Sequence, residues 1–174
     1  MDVNDLDPRT MDAERFRELL AGADPAADLA PVSPEAFARL VALASTEQLR
    51  AVGAAPALRT RLLDEIVGRM VTQLRPERAA AVTAVVHWRI GDRPDGGVDE
   101  YQLVIADGTC TASRGADREP RVSLQVGFVP FLRLVSGNGS AAMMFMTGKL
   151  SVRGDLAFAA GLLDLFDIPR PPSG

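Results

Sequence analysis

The stretch Phe145-Met-Thr-Gly-Lys-Leu-Ser-Val-Arg-Gly-Asp155 changes secondary structure twice in eleven residues. Gly148 closes a short apolar helix or turn, Ser140–Met146. Leu150 and Val152 then share one face of a strand, as alternate residues must. Asp155 caps a final helix, Leu156–Phe166, with Pro169 beyond it. Upstream, Phe128, Phe131, Leu132 and Val135 recur at i, i+3, i+4 and i+7, a helix that Gly137 ends. Before it, Val122, Leu124 and Val126 alternate as a strand. Three more strands precede. In Val82–Ile90, the residues Val82, Ala84, Val86, Trp88 and Ile90 share a face. Tyr101, Leu103 and Ile105 give the next, and Thr109–Arg114 returns from it across Asp107-Gly108, a pair suited to the positive φ of a type I′ turn. Helices, four strands, then helix, strand, helix is an α+β order with a mostly antiparallel sheet.

Toward the N-terminus the period changes to 3.6. A long helix, Pro56–Leu74, carries Leu58, Leu62, Leu63, Ile66, Val67, Met70 and Val71 in one stripe. Ser45 or Thr46 caps a short helix through Val52, which Gly53 stops. Ser33-Pro34-Glu35 starts another, with a capping hydroxyl, Pro at the first helical position and acid in the first turn. Thr10 caps a first helix, Met11–Ala21, and residues 1–10 read as disordered. The expected division is a helical extension over 1–55 and a domain over 56–170. The faces Phe16, Leu19, Leu20 and Phe37, Leu40, Val41 belong to helices too short to stand alone, so they pack on that domain or on a second chain as a homodimer.

The 174 residues are 47% hydrophobic and carry a net charge of −4. That is enough for a core without staples and argues against a charge-driven grip on nucleic acid. The basic residues are 18 Arg and one Lys, read as genome composition. The single Cys110 excludes an internal disulfide, and a reducing cytoplasm is the expected setting. The opening MDVNDLDPRT is acidic without an apolar run, and the closing PRPPSG is no peroxisomal address. No window holds about 18 consecutive apolar residues, so no transmembrane segment is expected.

Apolar surface is in excess toward the end of the chain. The last helix, LAFAAGLLDLF, has Asp164 as its only charge, so its second face calls for a ligand, a partner chain or the N-terminal helices. FVPFLRLV and AAMMFM before it supply three Phe and three Met, a deformable wall.

With YQLVIADG, VSLQV, FVPFLRLVSG and MMFMTGKLSVRGD in this order, the run Tyr101–Phe166 resembles the sterol carrier protein 2 family, more loosely back to Pro56. The resemblance implies a five-stranded sheet covered on one side by helices, with a hydrophobic tunnel between. It implies non-covalent binding of a fatty acid, fatty acyl-coenzyme A, sterol or similar lipid, and no cofactor. The ligand-binding positions it carries over are Phe128, Phe131, Leu132, Val135, Met143, Met144, Phe145, Met146, Leu150, Val152, Leu156, Ala159, Ala160 and Leu163. The first 55 residues have no counterpart in the small carriers.

Catalytic devices are scarce in the sequence. Any Ser-His-Asp or Cys-His arrangement needs His87, which strand parity sets opposite Trp88 on the wet face, with Cys110 in another strand. One His and one Cys do not make a zinc site. Asp92, Asp95, Asp99 and Glu100 crowd a loop without calcium-loop spacing. Ser136-Gly-Asn-Gly-Ser140 reads as a helix stop, and Arg133, Lys149 and Arg153 as solvated charges near the ligand. Three uses remain open: a lipid carrier, a pocket for a tailoring enzyme or accessory protein acting on an apolar substrate, and an interaction module.

Overall fold

Alternation of apolar and polar residues puts Val86, Trp88, Leu103, Ile105, Val122, Leu124 and Val126 on one buried face of a sheet. The computed structural model describes residues 7–22 and 33–168. Five strands, β1 (Ala84–Ile90), β2 (Asp99–Ala106), β3 (Thr109–Arg114), β4 (Val122–Val126) and β5 (Leu150–Gly154), lie in the order β3-β2-β1-β4-β5. Pairing is antiparallel throughout except between β1 and β4, which run parallel. That parallel pair requires a crossover from one edge of the sheet to the other side of β1. Residues 115–121 make it, across the face turned away from the helices, where Arg118 N–H donates to the Gln102 side chain and Arg121 N–H to the Val85 carbonyl. Asp107 and Gly108 take φ of 54° and 73°, as the hairpin between β2 and β3 demands.

The helices are α1 (Ala13–Gly22), α2 (Pro34–Leu43), α3 (Thr46–Gly53), α4 (Pro56–Thr72), α5 (Pro76–Ala79), α6 (Phe128–Val135), α7 (Ala141–Met146) and α8 (Leu156–Leu162). Two polar clusters fix α4 on the sheet. Buried Arg59 pairs with Asp99 at 2.7 Å, donates to the carbonyls of Ile90, Gly91 and Asp92, and stacks 5.0 Å from the Phe128 ring. Every proton of that guanidinium region faces an acceptor or a ring, which is what a buried charge needs. Farther along, Asp64 accepts from Tyr101 Oη and from Arg114. The chain then closes on itself: Leu74 and Phe166 form an isolated bridge, and Arg75 N–H donates to the Leu165 carbonyl at 2.7 Å.

Four details depart from the sequence reading. Pro8–Thr10 is a 3-10 turn capped by Asp7, where the sequence suggests no structure; residues 1–6 lie outside the described residues. Asp12, not Thr10, caps α1, accepting from Arg15 N–H, because Thr10 spends its hydroxyl on the Asp7 carbonyl. The helix α5 is an addition. The last helix ends at Leu162, followed by a 3-10 turn, Leu163–Leu165, that lets Phe166 turn back to Leu74.

The N-terminal layer is built around Gln48. With Ser45 it completes a capping box at the start of α3, and its amide also donates to the carbonyls of Pro8 and Met11. A Cβ at Gly53 would meet the Phe128 ring, so glycine there permits close packing of α3 on α6.

Candidate functional site

The apolar stripe of α4 has two sides to cover, and α1, α2 and α3 cover the one facing away from the sheet. Between them and α4 lies a cavity of about 50 Å³. Eleven of its thirteen lining residues are hydrophobic: Phe16 and Leu20 from α1, Phe37, Leu40 and Val41 from α2, Leu49 and Val52 from α3, Leu58, Leu62 and Ile66 from α4, and Leu132 from α6. The other two are Glu65 and Arg69, an ion pair at 3.0 Å, half-buried at the edge. An apolar void of this kind stays dry and accepts apolar guests. Side-chain hydrogen bonds tie its outer wall to the rest of the fold. Arg61 donates to the Leu20 carbonyl, Arg133 to Thr46 Oγ1, and Asn138 to the Ala38 carbonyl.

Of the fourteen positions expected to bind ligand, Leu132 alone lines this cavity. Phe128, Phe131, Val135, Met144 and Leu150 are buried in the core that continues from it. Val152, Ala159 and Leu163 are half-buried. Ala160 is exposed, and Met143, Phe145, Met146 and Leu156 are 59%, 50%, 78% and 56% exposed. The α8 helix has an uncovered face, and the N-terminal helices lie against α4 and α6 instead. The cavity-lining residues of α1 and α2 are the ones the sequence reading did not assign to ligand. Their amphipathic spacing was visible, but which surface they enclose depends on the path of the whole chain.

Phe131 meets Trp88 edge to face, with ring centroids 5.3 Å apart. The Trp88 indole nitrogen is buried there without a hydrogen-bond partner among the described residues. An orphan donor in a core costs about 1–3 kcal/mol.

His87 and Cys110 lie on opposite faces of the sheet. His87 does sit opposite Trp88, but it is 7% exposed, not wet: the crossover covers it, and Nε2 faces Gln102 Oε1 at 3.1 Å. Gln102 in turn donates to Asp117 at 2.7 Å. Cys110 faces the core, and burial pushes its thiol up to about 11. Arg133 is engaged with Thr46, and Asp99 with Arg59, so neither is a solvated charge. Asp155 accepts from Phe158 N–H at 2.9 Å and pairs with Arg121, and both hold its carboxyl below the usual carboxylate range. Among the described residues no three metal-ligating side chains gather, and no helix is long and apolar enough to cross a membrane.

The model of the SCP-2 sterol transfer family matches residues 63–167. No curated protein matches the sequence. Palmitated SCP2L2 from Aedes aegypti is 20% identical, with 60% of this chain and 94% of that one aligned and a TM-score of 0.49. Sterol carrier protein 2 from Yarrowia lipolytica, in apo form, is 16% identical, with 94% of each chain aligned and a TM-score of 0.44. The inverting sec-alkylsulfatase Pisa1 from Pseudomonas sp. is 12% identical with a TM-score of 0.54. That likeness, one of fold, takes in 95% of this chain and 30% of the sulfatase.

Proposed function

We propose that this chain, which belongs to the SCP-2 sterol transfer family, binds an apolar ligand non-covalently and carries it through water. The observation behind this reading is the dry cavity between the N-terminal helices and α4. A fatty acid, fatty acyl-coenzyme A, sterol or similar lipid suits it in kind. Arg69 offers a carboxylate-bearing ligand a guanidinium at the cavity edge, in competition with Glu65. In size the cavity falls short: a drug- or lipid-sized guest needs about 300–1,000 Å³. Loading therefore requires α1 and α2, which form the outer wall of the cavity, to move outward.

A second placement draws support from Trp88. A ligand with a carbonyl or hydroxyl group, entering between the sheet and α6, would give the unpaired indole N–H an acceptor. The wall would then be Phe128, Phe131, Leu132 and Val135, continued by Ala159 and Leu163.

Two substitutions separate the placements, read by displacement of a fluorescent fatty acid or a fluorescent sterol and by unfolding midpoint. Val41→Phe fills the cavity beside α4. It should weaken binding at least about tenfold while costing less than the roughly 1–3 kcal/mol of ordinary overpacking. Ala159→Trp fills the α8 side. Loss of binding in Val41→Phe alone places the ligand behind α1 and α2, and loss in Ala159→Trp alone places it under α8. A wild-type protein that takes up neither probe means that the carrier reading is wrong.

A further inference from the structure

Trp88, the single tryptophan of the chain, holds a donor that no described residue accepts. It stands on the central strand β1, 1% exposed, with Tyr101 and Leu124 as its cross-strand partners and Phe131 packed edge to face against it. Elsewhere the buried polar side chains are partnered: Gln48, Arg59, Asp99, Gln102 and Ser136 all have hydrogen bonds, and Tyr101 Oη donates to Asp64. Arg61 and Arg89 also carry a buried unpartnered Nε, but a guanidinium has further donors. Arg61 uses one on the Leu20 carbonyl, and Arg89 lies 3.9 Å from Glu100. An indole has one N–H and no acceptor. Native folds rarely leave such a group buried and unpaired. A buried water is a poor answer, because it needs about two to four polar partners of its own. On the sheet, the neighbours of Trp88 on its own face are Val86, Ile90, Tyr101 and Leu124. Their only polar group is the Tyr101 hydroxyl, which Asp64 already engages. An oxygen atom attached to an apolar skeleton has no such deficit.

We propose that Trp88 sets the ligand specificity of this chain. Its indole N–H donates to a neutral ketone, ester or hydroxyl oxygen in the buried part of an apolar ligand. A skeleton oxygenated along its length is therefore preferred over one whose only polar group is terminal. The inference rests on the carrier reading, in its placement between the sheet and α6. Apolar sites take their specificity from a few placed polar groups. A site with a buried hydrogen-bonding group discriminates against the analogue that leaves that group unpaired. The acceptor is neutral because an ion buried without a counter-charge is disfavoured, and none of the cation–ring contacts among the described residues involves Trp88. Arg59, the buried cation of the fold, is committed to Asp99. A carboxylate therefore belongs at a solvent-facing end of the ligand, and the oxygen that Trp88 reads lies deeper. Pairing the indole should raise affinity for the oxygenated ligand about tenfold.

The test compares octadecanoic acid with a series of its keto analogues, the carbonyl moved stepwise along the chain, each as a competitor of the fluorescent fatty acid on the full chain. A fixed donor reads a fixed depth. Over a narrow range of positions, the ketone should displace the probe at about tenfold lower concentration than the plain chain. The single indole cross-peak in a nitrogen–proton correlation spectrum should move downfield with that ketone, and further than with octadecanoic acid. In Trp88→Phe the preference should vanish, with octadecanoic acid still displacing the probe. The indole signal is read in wild-type protein, so the proposal can be refuted even where Trp88→Phe fails to fold. Equal displacement by the plain chain and every ketone overturns the role of Trp88. So does an indole resonance that stays in place when the preferred ketone binds, or a preference that persists in Trp88→Phe. Fatty-acid uptake is intact in those three outcomes, and the carrier reading stands. Protein that takes up neither the fluorescent fatty acid nor the fluorescent sterol overturns both.

Discussion

Phe16 and Phe145 are the same side chain in opposite circumstances. The first, on α1, is 1% exposed against α3 and α4; the second, on α7, is 50% exposed at the sheet edge. Both come from short helices rich in apolar residues, and neither helix is stable by itself. The difference lies in the neighbours. The N-terminal helices find the outward stripe of α4 and cover it, whereas α7 and α8 lie beside the edge strand β5, with α8 also reaching β4, and keep a face that no described residue covers. Hydrophobicity alone therefore does not tell core from contact surface; the position of the element in the sheet does.

Substitutions sharpen the contrast. Phe16→Ala should cost about 3–5 kcal/mol, as truncation of an enclosed ring does, while Phe145→Ala should stay within about 0.5 kcal/mol. Equal costs, measured by denaturant unfolding, would show that something covers α7. Gln48→Leu is the next largest. It strips partners from the Ser45 N–H and the Pro8 and Met11 carbonyls, and should cost about 1–3 kcal/mol. It should also loosen α1 and speed exchange of a bound probe from the cavity. The smallest effect concerns the open region. Asp155 is held below its ordinary range chiefly by the Phe158 N–H and next by Arg121. A depressed carboxyl stabilises the fold above the unfolded pKa, near 3.9, and loses that contribution as pH falls through the folded value. Wild-type stability relative to Asp155→Asn should therefore be flat above about pH 5 and decline below about pH 4. A difference that grows with rising pH would contradict the cap.

Much of this architecture could be read from the chain. The spans of β4 and α6 coincide with the expected ones because alternation and 3.6-residue periodicity are each clear there and a glycine marks the end. Ser33 caps as expected, and of Ser45 and Thr46 it is Ser45 that caps, since an N-cap is a local bond between a hydroxyl and a nearby N–H. What escaped the sequence is non-local. The α5 helix has four residues, too few to show a period. The early end of α8 follows from the pairing of Phe166 with Leu74, ninety-two positions away. Strand parity gave the correct face for His87, but its burial comes from the crossover loop passing over it. Of the candidate site, the apolar content was legible, and its division into a cavity behind α1 and α2 and an uncovered edge was not.

The crossover that hides His87 also bears on how the molecule assembles. Asp107-Gly108 closes the β2–β3 hairpin across two residues, an event of microseconds. The β1–β4 pair joins Val86 to Val122, thirty-six positions apart, and it cannot reward the chain until that loop has closed. Non-local pairings of this kind set the pace of folding. Until then the central strand β1 has a vacant flank, and β4 and β5 have no sheet to join. The interval before the crossover settles is when this chain is most open to pairing with a neighbour of its own kind, and a substitution that stiffens residues 115–121 in their final path should shorten it.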